Sequence, residues 1–294
     1  MRKLLLQLDT SSRPSVFDRI VAYDGGADEV MSYGGITEDV VRDLVHGAIF
    51  TRGPKDLRNT AIFIGGTDMG AGERLLTAVL KSFFGPMRVS VMLDSNGSNT
   101  TAVAAVTKLQ QASDAAGGGA LTGRKAVVTA GTGPVGLRAA GLLARAGADV
   151  LITSRRAADS KTLDGLRQRF GGAVRGATLS DASQAGAVLE GAELLLNAGP
   201  AAVRLVPRDA WAGRKGLRAA ADVNAVPPSG IEGIEAADSG VEREGVTVFG
   251  ALGVGSLKMK IHKACIARLF EQNDLVLDAE TIVEVARALA PPAS

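Results

Sequence analysis

The chain has 294 residues, 46% apolar and 22% charged, which excludes collagen-like, coiled-coil, low-complexity and disulfide-framework architectures. With 37 glycines against only 4% aromatics, the composition suits an α/β protein with tight strand–helix turns and an aliphatic core. The formal charge of +2 contains no run of five or six like charges, so neither a nucleic-acid arm nor a membrane-surface patch is expected.

In chain order, Met1–Asp9 starts basic, but its apolar run breaks at Gln7 and Asp9. A secretory core needs roughly 7–15 apolar residues, so Leu4–Leu8 reads as a first strand. Strands are also expected at Ala61–Ile64 and Val89–Leu93, with Ala48–Phe50 a weaker candidate. Glu38–Val45 and Gly72–Phe83 carry helical spacing. Asn99–Ala116 reads as a longer helix running into Gly117-Gly118-Gly119, the best boundary signal in the chain.

Beyond Gly123 the alternation becomes regular. Lys125–Ala130, Asp149–Thr153, Gly176–Leu179, Leu194–Asn197, Ala219–Val223 and Val246–Phe249 read as strands. Pro134–Ala146, Ala158–Phe170 and Ala182–Leu189 read as helices. Strands separated by helical stretches of about 10–15 residues imply parallel βαβ units. From Gly255 to Leu289 the chain is expected to be helical, with a break near Asn273-Asp274. The expected organisation is a first α/β domain over 1–118, a Rossmann-like domain over 119–253, and C-terminal helices over 254–294 that complete the first domain. No stretch approaches the roughly 18 apolar residues of a membrane span. Cys265 is the sole cysteine and reads as a small core residue of a cytoplasmic protein.

The strongest local signal is Gly131-Thr132-Gly133-Pro134-Val135-Gly136, directly after the apolar strand and opening a helix, the context a dinucleotide fingerprint requires. Gly131 permits the tight turn, Gly133 lets the backbone approach a pyrophosphate, and Gly136 lets helix and strand pack closely. The helix start offers free N–H groups and partial positive charge to the phosphates. Pro134 fits the first turn, where its missing donor costs nothing. The second strand of an NAD site usually ends in an acid that binds the ribose 2′-hydroxyl. Here it ends in Ser154-Arg155-Arg156, which suits the 2′-phosphate of NADP. Asn197-Ala198-Gly199, Asp222 and Asn224 end later strands of the same domain and are expected beside the nicotinamide half.

Several further stretches point one way together: Pro14-Ser15-Val16-Phe17-Asp18, Tyr23–Asp28, Asp94–Thr101, Ala221–Pro228 and Phe249–Lys258. With Gly131–Gly136 they resemble the NADP-dependent methylene-tetrahydromethanopterin/methylene-tetrahydrofolate dehydrogenases of methylotrophic bacteria, over essentially the whole chain. The resemblance implies two α/β domains flanking a cleft and a homo-oligomer, a trimer or hexamer. It also implies reversible oxidation of a methylene-tetrahydropterin to its methenyl form. One branch of the family accepts NAD; the Ser154-Arg155-Arg156 tip argues against that branch.

That reaction passes a hydride directly, so positioning outweighs acid–base chemistry. The inventory agrees: His46 and His262 are the only histidines, too few for a dense metal site, and no metal is expected. His262 reads as a helix-surface or packing residue. Lys258 is the expected catalytic residue. Val254, Leu257, Ile261, Ala264 and Cys265 define one apolar helix face, with Lys258 at its border, Lys260 on the other flank and Lys263 opposite. Periodicity alone also fits a snorkelling surface lysine; the resemblance, which places a functional lysine in this motif, favours catalysis. Asp94, Asn99, Thr100 and Thr101 are expected at the pterin edge, although the same residues could simply cap the following helix. Phe17 could stack on the pterin or belong to the core. Two other functions fit the nucleotide domain. One is a shikimate-type NADP dehydrogenase, whose catalytic Lys–Asp motif is not found; the other is a non-catalytic NADPH-binding regulator.

Overall fold

The computed structural model describes residues 1–115, 117, 120–156 and 158–289. Two compact units emerge, one formed by Met1–Thr100 with Met259–Ser294, the other by Thr101–Lys258. The division falls inside two long helices rather than at the glycine cluster, of which Gly118 and Gly119 lie outside the described residues.

The chain runs β1 (Leu4–Asp9), α1 (Val16–Asp24), β2 (Glu29–Tyr33), α2 (Val41–Ile49), β3 (Thr60–Gly65), α3 (Met69–Lys81), β4 (Ser90–Leu93) and α4 (Ser98–Ala115). Next come β5 (Lys125–Thr129), α5 (Pro134–Arg145), β6 (Asp149–Ser154), α6 (Ser160–Phe170), β7 (Ala173–Thr178), α7 (Ala185–Val188), β8 (Leu194–Asn197) and α8 (Arg208–Trp211). The last elements are β9 (Ala219–Asp222), β10 (Ser239–Arg243), β11 (Val246–Phe249), α9 (Ala251–Arg268), β12 (Val276–Leu277) and α10 (Ala279–Ala288).

The first unit holds a five-stranded sheet in the order β12-β4-β3-β1-β2, with every pairing parallel. Its central strand β3 is buried along its whole length, as expected where helices cover both faces. Leu6, Leu8, Ile62 and Ile64 pack against Val45 and Ile49 of α2 and Leu75 and Val79 of α3. The second unit holds seven strands in the order β10-β11-β9-β8-β5-β6-β7, parallel except for β10, which runs antiparallel to β11 at the edge. The core on one face gathers Val127, Leu195, Ala220, Trp211 and Ile231, and the Trp211 indole donates to the Glu232 carbonyl at 2.9 Å.

Sheet order locates the sites. In both sheets the chain reverses its direction of winding, between β1 and β3 in the first unit and between β5 and β8 in the second. Open α/β sheets bind ligands at such switch points, outside the carboxyl ends of the strands.

Some expectations from sequence need correcting. Ala48–Phe50 is no strand: Ala48 and Ile49 form the last turn of α2, whose inward stripe is Val41, Val45, Ala48 and Ile49. Helix α1 had no visible stripe, because Val16, Phe17 and Ile20 are exposed while Val21 and Ala22 are buried. Its signal was instead Ser15, whose hydroxyl accepts from the Asp18 N–H at 3.1 Å. The edge strands β2, β10 and β12 are short and carry no apolar run that marks them in the sequence. Among the described residues no helix is long and apolar enough to cross a membrane.

Candidate functional site

In the second unit, Gly131 follows β5 and its N–H donates to the Thr153 carbonyl at 2.7 Å, tying the turn to the tip of β6. A Cβ on Gly131 would lie 2.6 Å from Ile152 Cβ, and one on Gly136 would lie 2.7 Å from Gly131 Cα and 2.8 Å from the Ala130 carbonyl. Neither position admits a side chain. A Cβ on Gly133 would meet only the Ala130 carbonyl, at 3.4 Å, leaving the backbone open to a ligand. Gly133 is the N-cap of α5, makes no side-chain cap and is followed by Pro134, so the first amides of the helix are presented uncapped.

These residues open onto a cavity of about 440 Å³ lined by Ala130, Thr132, Gly133, Thr153, Arg155 and Ala198, among others. Thr132, Ser154, Arg155 and Arg156 line an adjoining, more open hollow. The volume is within the range of small-molecule sites, roughly 300–1,000 Å³. The uncapped amides suit a pyrophosphate and the two guanidiniums a phosphate monoester, so the residues present fit NADP. The Ser154 hydroxyl donates to the Arg156 carbonyl within the exposed tip.

Residues expected beside the nicotinamide divide into two groups. Ala198 lines the cavity. Asn197, Asp222 and Asn224 are buried, and their side chains tie strand ends together. Thr129 donates to Asn197 Oδ1 at 2.7 Å, and Asn197 Nδ2 donates to Asp222 Oδ1 at 2.8 Å. The Asn197 Oδ1 also accepts from the Gly199 N–H at 3.2 Å, while Asp222 accepts from the N–H groups of Asn224 and Ile231. Asn224 in turn donates to the Pro228 carbonyl at 3.2 Å. Asp222 and Asn224 also border a small cavity of about 110 Å³ with Glu235, Ala236 and Gly250.

In the first unit the switch point is formed by Asp9 and Gly65, paired across β1 and β3. Asp9 accepts from the N–H groups of Ser11 at 2.8 Å and Ser15 at 3.1 Å, fixing the loop into α1. A Cβ on Gly65 would lie 3.2 Å from Asp9 Oδ2 and 3.7 Å from Asp18 Oδ2, so two carboxylates converge there. Phe17, on the first turn of α1, is half exposed and its ring lies 6.4 Å from His262. The fully buried His262 stacks on Phe63 at 5.5 Å, and its Nδ1 stands 3.9 Å from Asp94 Oδ2. Asp9, Asp18 and His262 were not singled out as site residues from sequence. His262 could have been: it lies four residues from Lys258 and three from Cys265, on the same helix face.

Asp94, Asn99 and Thr100 are fully buried. Asp94 Oδ1 accepts from the Asn99 and Thr100 N–H groups at 2.9 and 3.0 Å, and its Oδ2 accepts from the Thr100 hydroxyl at 2.6 Å. The Asp94 carboxylate thus caps the start of α4, the Asn99 side-chain amide donates to the Leu93 carbonyl at 2.6 Å, and Thr101 is the half-buried member of the set. Burial, with the Asp94 carboxylate nearby, raises the Cys265 thiol well above its ordinary range, so this cysteine is an inert core residue.

On α9 the buried stripe is Val254, Lys258, Ile261, His262, Cys265 and Leu269. Lys258, only 9% exposed, sits within the stripe instead of at its border, while Leu257 is half-buried. Lys260 is exposed, and Lys263 pairs with Asp24 at 2.7 Å. No group of three or more metal-ligating side chains occurs among the described residues.

A family model described as methylene-tetrahydromethanopterin dehydrogenase, N-terminal, matches residues 16–96. The chain is 51% identical over 291 residues to the bifunctional protein MdtA of Methylorubrum extorquens AM1, covering 98% of this chain and 99% of that one. It is 32% identical over 297 residues to the NAD(P)-dependent methylenetetrahydromethanopterin dehydrogenase of the same organism, again covering 98% and 99%. Among solved structures, shikimate 5-dehydrogenase from Listeria monocytogenes aligns with a TM-score of 0.53 at 13% identity, over 98% of this chain and 96% of that one. Ornithine carbamoyltransferase from Pyrococcus furiosus aligns with a TM-score of 0.56 at 13% identity, over 90% and 84%. Such distant structures share the fold and nothing more. The full-length relationships settle the lineage: this chain belongs to the methylene-tetrahydromethanopterin dehydrogenase family.

Proposed function

We propose that the protein is an NADP-dependent oxidoreductase that reversibly oxidises the N5,N10-methylene group of a tetrahydropterin, tetrahydromethanopterin or tetrahydrofolate, to the methenyl form. The observation that carries this reading is the cavity onto which the glycine turn and Arg155 open, with Arg156 lining the adjoining hollow, in a chain of this family. Bound NADP supplies a nicotinamide C4 as hydride acceptor. Gly131–Gly136 and the start of α5 hold the pyrophosphate, and Arg155 and Arg156 hold the 2′-phosphate. Lys258 is assigned to positioning the pterin, and Phe17 and Thr101, the exposed and half-buried members of the expected set, to contacting it. The working form is a cytoplasmic homo-oligomer.

Because the product cation is delocalised over both pterin nitrogens, the hydride step requires no base, consistent with a site supplied with positioning groups. The decisive assay combines purified protein with each methylene carrier and each nicotinamide and follows absorbance at about 340 nm, where reduced nicotinamides absorb. No signal with either carrier sinks the proposal. Methenyl product is expected to accumulate. The Tyr-x-x-x-Lys motif of the folate dehydrogenase/cyclohydrolases is absent, since neither Tyr23 nor Tyr33 is followed by lysine at that spacing. Rapid enzymatic loss of the methenyl band would refute a purely dehydrogenating role.

Cofactor choice gives a sharper test. A charge-assisted hydrogen bond is worth roughly 1.5–3 kcal/mol, so one good guanidinium–phosphate contact favours NADP over NAD by about ten- to a hundredfold. Replacing Arg155 and Arg156 together by Ala is expected to remove most of that preference while leaving NAD use intact. An unmutated protein with equal kcat/KM for both nucleotides would overturn the assignment of the two arginines.

A further inference from the structure

At the carboxyl end of the second sheet, two neighbouring hydroxyls have their protons accounted for. Thr129 donates to Asn197 Oδ1 at 2.7 Å, and Ser154 donates to the Arg156 carbonyl. Thr153 differs. Its residue is 1% exposed, and its Oγ1 has no hydrogen-bond partner among the described residues. A buried hydroxyl left unpaired is costly, and valine would fill the same place in a strand without that cost.

Thr153 is also placed where a ligand would arrive. It lines the 440 Å³ cavity together with Ala130, Thr132 and Gly133. Its carbonyl holds the Gly131 N–H at 2.7 Å, and the next residue, Ser154, is clamped by the Leu179 N–H, which donates to the Ser154 carbonyl at 2.8 Å. Both backbone neighbours of the hydroxyl are therefore fixed. Thr153 thus joins the glycine turn, through its carbonyl, to the basic tip, through Ser154, linking the residues that suit a pyrophosphate to those that suit a 2′-phosphate.

We infer that Thr153 is a cofactor-specific residue whose hydroxyl is reserved for the adenosine-ribose half of the dinucleotide. The inference rests on the NADP reading above and adds to it a contact that the basic tip does not supply. Ser154, the hydroxyl closest to the arginines in sequence, spends its proton on the loop and shapes it; Thr153 keeps its proton for the ligand.

The test uses the intact protein and needs no turnover. NADPH and 2′,5′-ADP, which carries the adenosine half alone, are titrated into wild type, Thr153→Val and Thr153→Ser, and the ligand-free melting temperature of each is recorded. Thr153→Val is expected to bind both ligands about tenfold more weakly, the loss of one hydrogen bond to a charged or ribose oxygen. Its ligand-free melting temperature should equal or exceed that of wild type, because an unpaired hydroxyl has been removed. Thr153→Ser, which keeps the hydroxyl, should restore most of the affinity. Unchanged NADPH affinity in Thr153→Val overturns the inference, as does a lower melting temperature with affinity intact, which would make the hydroxyl a structural group. Weaker NADPH binding with unchanged 2′,5′-ADP binding overturns the placement at the adenosine half. A wild type that binds neither ligand refutes the cofactor reading itself, a different outcome from any of these.

Discussion

Lys258→Met is expected to lower methylene-tetrahydropterin turnover by about 10²-fold or more, the scale of loss when reacting groups fall about 1 Å out of alignment. Methionine is the informative replacement because Lys258 is buried within the inward stripe of α9, so trimming to alanine would also remove packing. Methionine keeps the length of the stem and deletes the amine. NADPH affinity should be nearly unchanged, since the phosphates are held by Gly131–Gly136, Arg155 and Arg156. Lys260→Ala should be mild, because that side chain is exposed on another face of the helix. Full turnover in Lys258→Met with loss in Lys260→Ala would move the functional lysine by two residues. Loss of NADPH binding in Lys258→Met would place the amine at the nucleotide instead of the pterin.

Much of the nucleotide site was legible because residue type there dictates backbone geometry. Gly131 and Gly136 leave no room for a Cβ, and a sequence with glycine at both positions after an apolar strand announces that turn. Hydrogen-bond ownership is another matter. Ser154, the natural candidate for a phosphate contact, donates to the Arg156 carbonyl, while Thr153, which carries no motif signal, keeps a buried hydroxyl without a partner among the described residues. Which hydroxyl is committed depends on loop geometry that no spacing encodes.

The same limit applies to α9, whose residues are shared between the two units. Helical periodicity assumes that charged residues point outward, which assigned Leu257 to the apolar stripe and Lys258 to its border. The structure buries Lys258 and His262 on that stripe and leaves Leu257 half-buried. Polar groups that face inward break the assumption behind a helical hydrophobic stripe, and rule-breaking positions of this kind concentrate where a fold carries function. In the Asp94–Thr101 motif the Asp94 carboxylate is committed to the start of α4 and to the Thr100 hydroxyl. Asp9 and Asp18 lie far apart in local pattern from Gly65 and became visible only when strand order brought the ends of β1 and β3 together.

The other large effect concerns the glycines of Gly250-Ala251-Leu252-Gly253-Val254-Gly255, which look equivalent in sequence and are not. A Cβ on Gly253 would lie 2.0 Å from the Asp238 carbonyl oxygen and 3.1 Å from Ser239 Cα, all backbone. That loop has little freedom to retreat. The Arg243 guanidinium donates two bonds of 2.7 Å to the Asp238 carboxylate, and the Asp238 carbonyl accepts from the Gly250 N–H at 2.9 Å. Burial works against ionisation of Asp238, but the Arg243 contacts and the Glu235 N–H outweigh it and hold its carboxyl below the usual range. Gly253→Ala is therefore expected to destabilise by about 1–3 kcal/mol or more, the cost of overpacking where nothing can shift. For a protein of this size that is a fall of roughly 2–10 °C in melting temperature. Among the described residues, nothing lies within 4 Å of the Gly255 Cβ position. Gly255→Ala should be neutral or stabilising by up to about 1 kcal/mol, from the better helix propensity of alanine. Thermal unfolding of the two variants side by side decides the matter: equal melting temperatures would show that the Asp238 loop yields, and that the close approach of loop to helix does not constrain the start of α9.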